Sequence, residues 1–269
     1  GDTVEEIVLD KRGIIKTGQA VISGCTQPTV QALVAEQCDT VGATLHQLGT
    51  SFSATKQDNS LFTMNTPYMM LEDVELGMSG DFQAQNGVLA LMAAASFAPD
   101  RVTETAVRNG LAKAKLAGRM EIMQERPLVL IDGAHNPDKI RGGAGIMSRT
   151  SQQQRVITVM GLKAGKDATD ILPPVLELTD TIIFTSFGIK GLWSAVPAEE
   201  LAAEARVIAP DKEIQVVADV IPAVEAALEL ANPEDIVWIT GSLYLAGDAR
   251  EYWYPSADML WSLEKVSTP

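Results

Sequence analysis

The sequence predicts an α/β fold whose second part is a Rossmann-like domain with a mostly parallel sheet. Two observations lead to this prediction: short apolar runs of strand length recur after about residue 119, and helical patterns separate them. Strands that alternate with helices build βαβ units, in which the strands run parallel. The predicted strands are Pro127–Ile131, Val156–Met160, Thr181–Thr185, Ile214–Val217 and Ile236–Ile239, and the helices between them cover about 137–150, 168–178, 197–207 and 220–231.

The first part of the chain also mixes helical and strand-like patterns, but without regular alternation. Thr3 is a candidate N-cap for a helix over Val4 to Lys11, because its hydroxyl can accept a hydrogen bond from the first turn. Gly118 is a candidate C-cap for a helix from Val102 to Leu116. The sequence therefore divides into domains at 1–118 and 119–269. The other predicted elements of the first domain are a strand at Ala20–Ser23, a helix from Gln27 to about Cys38, strands between about 43 and 78, and a long apolar helix from Gly80-Asp81 to Phe97.

The composition excludes several classes of protein. The 269 residues include 21 basic and 35 acidic side chains, for a formal net charge of −14, and 46% of them are apolar. This balance argues against a nucleic-acid partner, which needs a basic surface, and against intrinsic disorder. The longest apolar run, Gly87 to Ala98, is shorter than the about 20 residues that cross a bilayer. Two cysteines are too few for a disulfide scaffold. We therefore expect a cytoplasmic protein with no membrane partner.

The strongest local signal for a functional site is the stretch from Leu128 to Pro137. An apolar strand delivers Asp132, His135 and Asn136 to a loop, and Pro137 starts a helix at its first-turn position. Polar side chains at the carboxyl end of a strand, beside a helix N-terminus, suit a nucleotide or a phosphate. The alternative is an Asp-Gly turn with an ordinary polar histidine, and position alone favours the functional interpretation.

The same stretch contains Asp-Gly-Ala-His-Asn-Pro at 132–137. This motif resembles the C-terminal domain motif of the folylpolyglutamate synthase and dihydrofolate synthase family, within the Mur ligase superfamily. Other Mur ligases usually have tyrosine at the position of Gly133, so the glycine favours the folate branch. Four further stretches resemble the family's motifs in the same order: Gly1 to Lys16, Gln83-Ala-Gln-Asn86, Gly118-Arg119-Met-Glu121 and Thr240-Gly-Ser242.

The resemblance covers nearly the whole chain and implies its domain organisation. It makes 1–118 the C-terminal portion of a central P-loop ATPase domain of the Mur ligase type. It makes 119–269 the Mur ligase C-terminal domain, also called the glutamate ligase domain.

The resemblance also implies an ATP site. Asn86 matches a residue that contacts adenine, and Arg119 matches one that reaches an ATP phosphate across the domain junction. A planar guanidinium suits bidentate phosphate contacts. Asp132 would accept hydrogen bonds from the ribose hydroxyls, and His135 would lie near the phosphates or an acyl phosphate. Without the resemblance, Asn86 is a helix-face amide and Arg119 a surface ion-pair partner of Glu121.

Two further residues acquire roles through the resemblance. Lys11 matches a lysine whose amine is carbamylated by CO₂, which gives an oxygen anion of the type that Mg²⁺ prefers; its other metal ligands would lie upstream of this sequence. Ser242 would contribute to glutamate binding, or would simply cap the last helix. The implied catalytic residues are Lys11, Arg119 and His135.

The sequence departs from the family's pattern in a way that bears on activity. It contains no Gly-x-x-x-x-Gly-Lys-Ser/Thr loop, the motif that cradles ATP phosphates. The nearest string, Gly161 to Asp167, has three residues between its glycines and no hydroxyl residue after the lysine. The family's metal-binding Glu and His and its pterin-binding loop are also absent. We therefore expect the isolated chain to be inactive.

The implied activity is that of an ATP-dependent ligase that adds L-glutamate to dihydropteroate or folate through an acyl phosphate. Its cofactors would be ATP and Mg²⁺, its other partners small-molecule substrates, and its state a monomer. Two alternatives stay open: another amino-acid ligase of the superfamily, such as a cell-wall peptide ligase, and a non-catalytic binding module that kept the Rossmann-like domain.

Overall fold

The computed structural model describes residues 3–57, 61–80, 82–152, 154–188 and 194–256. Features predicted for Gly1-Asp2, for Asp81 and for the last 13 residues, 257–269, lie outside these ranges. Contacts divide the chain into two compact units, Gly1–Ala114 and Lys115–Pro269. Each unit has its own hydrophobic core.

The first unit combines helices with two small sheets. Helix α1 begins after Thr3, whose side chain accepts a hydrogen bond from the amide of Glu6, as predicted. A parallel pair of strands, β1 and β2, flanks α2, and three antiparallel strands, β3 to β5, pack against the apolar helix α3. The elements are α1 Val4–Lys11, β1 Ala20–Ser23, α2 Pro28–Val41, β2 Thr44–Gln47, β3 Ser53–Lys56, β4 Phe62–Asn65, β5 Met70–Val74, α3 Phe82–Phe97 and α4 Glu104–Lys113.

Helix α4 is shorter than predicted at both ends. It begins after Thr103, whose side chain caps the first turn by accepting from the amide of Ala106, and it ends at Lys113. The prediction that Gly118 caps this helix is wrong. Gly118 lies in a later turn with φ +66°, where its amide donates to the Glu121 carboxylate. A glycine after a helical pattern does not by itself show which turn uses its positive φ.

The second unit is a six-stranded sheet covered by helices on both faces. Its strand order is β10-β9-β8-β11-β7-β6, and every neighbouring pair is parallel except β6 with β7. This confirms the predicted α/β fold with a mostly parallel sheet. The elements are β6 Glu121–Glu125, β7 Leu128–Asp132, α5 Pro137–Ser151, β8 Val156–Met160, α6 Leu172–Leu178, β9 Thr181–Phe184, α7 Ala198–Ile208, β10 Glu213–Val216, α8 Val220–Leu230, β11 Ile236–Thr240 and α9 Leu243–Arg250.

Two elements of this unit differ from the prediction. Strand β6 was not predicted, because its sequence, Glu-Ile-Met-Gln-Glu, is largely polar and its residues are only partly buried at the sheet edge. Helix α6 begins at Leu172, four residues later than predicted. Pro173 and Pro174 lack the amide hydrogen that a helix interior needs, so they fit only the first turn and set the start of the helix.

Different helices cover the two faces of the sheet, and their arrangement creates a switch point at the carboxyl ends of two neighbouring strands. Helices α5, α6 and α7 pack with Leu130 and Trp238 on one face, and α8 and α9 pack with Ile131 and Ile239 on the other. The chain therefore leaves β7 towards one face and leaves the adjacent strand β11 towards the opposite face. Ligands of doubly wound sheets bind at such a switch point, outside the carboxyl ends of the strands.

We found no helix within the described ranges whose length and apolar character would let it cross a membrane.

We expect the second unit to fold without the first, because its sheet is covered on both faces by its own helices. Limited proteolysis of the whole chain should leave a stable fragment that begins near residue 115 and retains the far-ultraviolet circular dichroism of an α/β domain. Loss of this segment at the same rate as the first unit would contradict the expectation.

Candidate functional site

The predicted site residues of the second unit meet at the carboxyl edge of its sheet. In the strand register, Thr240 at the end of β11 pairs with Asp132 on one side and with Met160 on the other. Helix α5 starts beside this edge, where the Asn136 side chain accepts a hydrogen bond of 2.9 Å from the amide of Lys139. The 15-residue helix thus directs the remaining free amides of its first turn towards the edge, which favours an anion there.

Asp132 is a buried carboxylate held by the backbone. Only 6% of the residue is exposed. Burial raises its pKa to about 6, and the charge of Arg119 and hydrogen bonds from the amides of Ala134 and Met120 oppose the rise. Helix α5 crosses it closely, since a Cβ on Gly143 would lie 2.7 Å from Asp132 Oδ2. The absence of a side chain at Gly143 lets the helix approach the carboxylate.

His135 is held in one orientation by the loop that carries it. Its Nδ1 lies 2.9 Å from the Gly133 carbonyl oxygen, and because a carbonyl can only accept, Nδ1 carries the proton. The ring's Nε2 is then an acceptor whenever the ring is neutral. Burial lowers the pKa of His135, and the charges of Lys139, Lys166 and Arg119 lower it further. The ring is therefore neutral at pH 7, amid three cations.

These three cations form an electropositive region on a chain of net charge −14. Sequence reasoning did not single out Lys139, although it carried a usable signal. It lies in the first turn of α5, where the helix dipole disfavours a cation, so its position indicates a compensating anion. Lys166 received no role from the sequence, and its charge acts on His135 only through the fold.

Arg119 lies in the turn that precedes β6 and faces the Gly133 loop. Its Nη1 would be 3.2 Å from a Cβ built on Gly133. The alternative of an ion pair between Arg119 and Glu121 is not observed, since Glu121 pairs with Arg250 instead. Within the described ranges no acceptor hydrogen-bonds the Arg119 guanidinium, which leaves its donors available to a ligand.

The end of β11 adds two hydroxyls to this edge. Ser242 Oγ accepts from the amide of Tyr244 at 3.1 Å, so the residue caps α9. Its proposed part in glutamate binding stays a prediction. Thr240 is 1% exposed, and its Oγ1 has no hydrogen-bond partner among the described residues.

The two other predicted site residues belong to the first unit. Lys11 ends α1 with its side chain 74% exposed, and its Nζ lies 3.2 Å from the Asp10 carboxylate. Asn86 lies near the start of α3 and donates a hydrogen bond of 3.0 Å from Nδ2 to the side-chain oxygen of Gln83. Their assigned roles in metal and adenine binding stay predictions.

The described residues do not fit a protein-built Mg²⁺ site. Among them, no group of three or more His, Cys, Asp or Glu side chains could hold a metal ion. Lys11, even as a carbamate, would be a single ligand, and its neighbour Asp10 is as exposed as the lysine itself. We therefore derive no chemical step from a metal held by these residues.

Fold and site together define an α/β domain whose sheet switch point combines cationic side chains with a helix N-terminus, a combination that suits an anion. Residues 118–243 match the family profile described as "Mur ligase, glutamate ligase domain". This match covers β6 to β11 and the loops that carry Arg119, Asp132 and His135. The second unit is therefore a Mur ligase C-terminal domain.

Comparison of the whole chain identifies the branch of that superfamily. It is 28% identical over 264 residues to the dihydrofolate synthase/folylpolyglutamate synthase of Bacillus subtilis, covering 93% of this chain and 58% of that protein. It is 30% identical over 260 residues to the folylpolyglutamate synthase of Lacticaseibacillus casei, with the same two coverages. The structure of Escherichia coli FolC in complex with ADP, without folate substrate, aligns with a TM-score of 0.83 at 25% identity, covering 96% of this chain and 59% of that one.

The chain is thus similar over 93% of its length to proteins of the folylpolyglutamate synthase and dihydrofolate synthase family, which is the family that its motifs predicted. It spans a little under three fifths of the length of these relatives.

Proposed function

We propose that this chain carries the glutamate ligase part of an ATP-dependent ligase that joins L-glutamate to a pteroate or folate carboxylate. The observation that carries the proposal is the edge around His135, beside the start of α5, where Arg119, Lys139 and Lys166 supply positive charge. An edge of this kind binds the phosphate groups of ATP and of an acyl phosphate. The relatives named above, one of them bound to ADP, support the same assignment.

The reaction has two steps, and neither requires a protein nucleophile. The substrate carboxylate attacks the γ-phosphorus of ATP and forms an acyl phosphate, with ADP as the leaving group. The amine of L-glutamate then attacks the acyl carbon, inorganic phosphate leaves, and an amide remains after the amine loses a proton. Positioning and charge stabilisation supply most of the catalysis of phosphoryl transfer.

The residues at the sheet edge suit these steps. The Arg119 guanidinium and the Lys139 and Lys166 ammonium groups offset negative charge on the transferring phosphoryl group and the departing phosphate. Neutral His135 presents Nε2 as a hydrogen-bond acceptor, and ionised Asp132 accepts from ribose hydroxyls. Mg²⁺ would enter with the ATP phosphates. The role of Lys11 in the first unit as a carbamylated metal ligand stays a separate prediction.

The glycine at 133 favours a folate ligase over a cell-wall peptide ligase. A Cβ at Gly133 would collide with the side chain of Leu243, the first residue of α9. The tyrosine found there in other Mur ligases would require Leu243 to move. The loop is therefore packed around the glycine of the folate branch.

Replacing Arg119 by alanine should weaken ADP binding by about 10- to 100-fold. A charge-assisted phosphate contact contributes about 1.5–3 kcal/mol, and every 1.4 kcal/mol is about tenfold in affinity. Isothermal titration calorimetry of the chain with ADP measures the change.

The matched control is Arg155→Ala. Arg155 is also a partly buried arginine of the second unit, but it lies at the opposite end of the sheet, with Asp235 and the Leu230 carbonyl as neighbours. Its removal changes the net charge equally and should leave ADP affinity unchanged. Absence of ADP binding by the wild-type chain, or an equal loss in both variants, would contradict a phosphate site at this edge.

The expected inactivity of the isolated chain needs a separate assay. We expect no glutamate addition when the chain is incubated with ATP, Mg²⁺, L-glutamate and dihydropteroate, because its sequence contains no phosphate-cradling Gly-Lys-Ser/Thr loop. Formation of a glutamylated product would overturn this expectation and would establish the ligase activity directly.

A further inference from the structure

We propose that Glu121 and Arg250 act as positioning residues that hold Arg119 and the Gly133 loop in their binding geometry. The two residues are 129 positions apart in sequence and touch neither Asp132 nor His135 through any hydrogen bond among the described residues. Their proposed effect on the site passes through the backbone of Gly118 and Gly133. The proposal rests on the phosphate-binding role given to this edge above.

The contacts form a continuous chain of hydrogen bonds. Arg250, the last residue of α9, donates from Nε and Nη2 to the two oxygens of Glu121 at 2.9 and 3.1 Å. Glu121 Oε2 also accepts from the amide of Gly118 at 2.8 Å. The carbonyl of Gly118 in turn accepts from the amide of Gly133 at 2.7 Å, two residues before His135. One bidentate ion pair thereby ties α9 and β6 to the loop of the site.

The turn at 118–120, in the middle of this series of hydrogen bonds, has an uncommon backbone conformation. Gly118 has φ +66°, and Met120, which is not a glycine, has φ +46°. Side chains rarely adopt this left-handed region unless surrounding contacts hold them there. In that conformation Met120 donates its amide to Asp132, and Arg119 lies against Gly133. Glu121 follows the turn directly and closes it through the Gly118 amide.

The surroundings of the Glu121–Arg250 ion pair favour its persistence. The side chains are only 22% and 28% exposed, and the Arg250 guanidinium lies 5.3 Å from the centroid of the Tyr254 ring. Bidentate geometry, partial burial and the aromatic neighbour all reduce the freedom of Arg250. A surface pair would exchange partners with water, whereas this pair keeps the Glu121 carboxylate directed at Gly118.

The test uses the two histidines of the chain as probes, one in each unit. We expect Glu121→Ala to shift the ring proton resonances of His135, because Arg119 and the Gly133 loop are no longer held in place beside it. The signals of His46 in β2 serve as the internal reference and should not move. ADP affinity should fall by about tenfold, as for a loosened rather than a deleted phosphate contact.

Four further variants separate positioning from a general loss of stability. Glu121→Gln keeps an oxygen for the Gly118 amide and should preserve the His135 signals better than alanine does. The exchanged pair, Glu121→Arg with Arg250→Glu, restores opposite charges but removes the acceptor at 121. It should be more thermally stable than Glu121→Arg alone. It should restore neither the wild-type His135 resonances nor the wild-type ADP affinity. Arg155→Ala removes another partly buried arginine, which lies near Asp235 at the other end of the sheet, and should leave both readouts unchanged.

The outcomes decide the two proposals separately. If the exchanged pair restores the wild-type His135 resonances and ADP affinity, the ion pair acts on stability alone and the positioning role is wrong. If Glu121→Ala leaves the His135 signals unchanged, the positioning role is wrong irrespective of nucleotide binding. If the wild-type chain does not bind ADP but His135 responds as expected, the hydrogen-bond chain stands and the proposed phosphate site fails.

Discussion

Gly241→Ala is expected to destabilise the second unit by about 3 kcal/mol or more, because it combines backbone strain with a backbone collision. Gly241 follows β11 with φ +108°, a conformation that side chains rarely adopt. A Cβ there would lie 2.5 Å from the carbonyl oxygen of Gly161. Because that atom belongs to the backbone after β8, it cannot move aside without separating two central strands. Urea unfolding followed by circular dichroism measures the loss.

Gly247→Ala provides the matched control. Gly247 lies within α9, and a Cβ there would meet no atom within 4 Å. The same substitution should stabilise the protein by roughly 0.5–1 kcal/mol, because alanine loses less conformational freedom in a helix. If Gly241→Ala changed stability as little as the control, the close approach of the β8 and β11 ends would be wrong.

The second large effect is a pH dependence that arises from Asp132. Its pKa is raised to about 6 in the folded chain, against an ordinary value of 3.8. The protonated form is therefore favoured by folding, so the stabilisation is fully present below pH 3.8 and is lost as the pH rises through 6. The loss amounts to about 3 kcal/mol, since one pKa unit corresponds to about 1.4 kcal/mol.

Asp132→Asn isolates this contribution because asparagine does not ionise. The free energy of unfolding of the wild-type chain should fall relative to that of the variant between pH 4 and pH 7. Comparing the two proteins at each pH removes the titration of all other groups. A difference that is constant from pH 4 to pH 7 would mean that Asp132 does not titrate with a raised pKa.

The same titration should affect the proposed nucleotide site. Only the ionised carboxylate is a pure acceptor for ribose hydroxyls. The carboxylate that best suits the ligand is thus the form that costs stability above pH 6. Such a conflict between stability and local chemistry is common at functional sites.

The sequence predicted most strands of the second unit because those strands are buried on both faces. Continuous apolar runs such as Val156–Met160 coincide with β8 residue for residue, and the other predicted strand ends lie within one residue of the observed ends. Strand β6 escaped prediction because an edge strand needs no apolar run. The start of α6 was mispredicted because the helical pattern was extended across residues before its prolines.

The candidate site was predictable where its residues are adjacent in sequence. Asp132 and His135 follow one strand, and their position before Pro137 predicts a loop beside a helix N-terminus. Lys139 was not assigned although its place in the first turn of α5 is a local signal. Lys166 was not assigned because an exposed lysine in a loop has no local pattern that distinguishes ligand binding from solvation. Glu121 was paired with Arg119 by proximity in sequence, whereas the fold pairs it with Arg250.

The sequence by itself determined the α/β class, the family and the motif that ends β7, since these depend on local composition and order. Only the tertiary structure decided that β11 lies between β7 and β8, which places Thr240 beside Asp132. It also decided that Arg250 reaches Glu121 across 129 residues. Strand order and distant contacts are set by backbone hydrogen bonds and packing between segments far apart in the chain, and neither leaves a periodic signal in a single sequence.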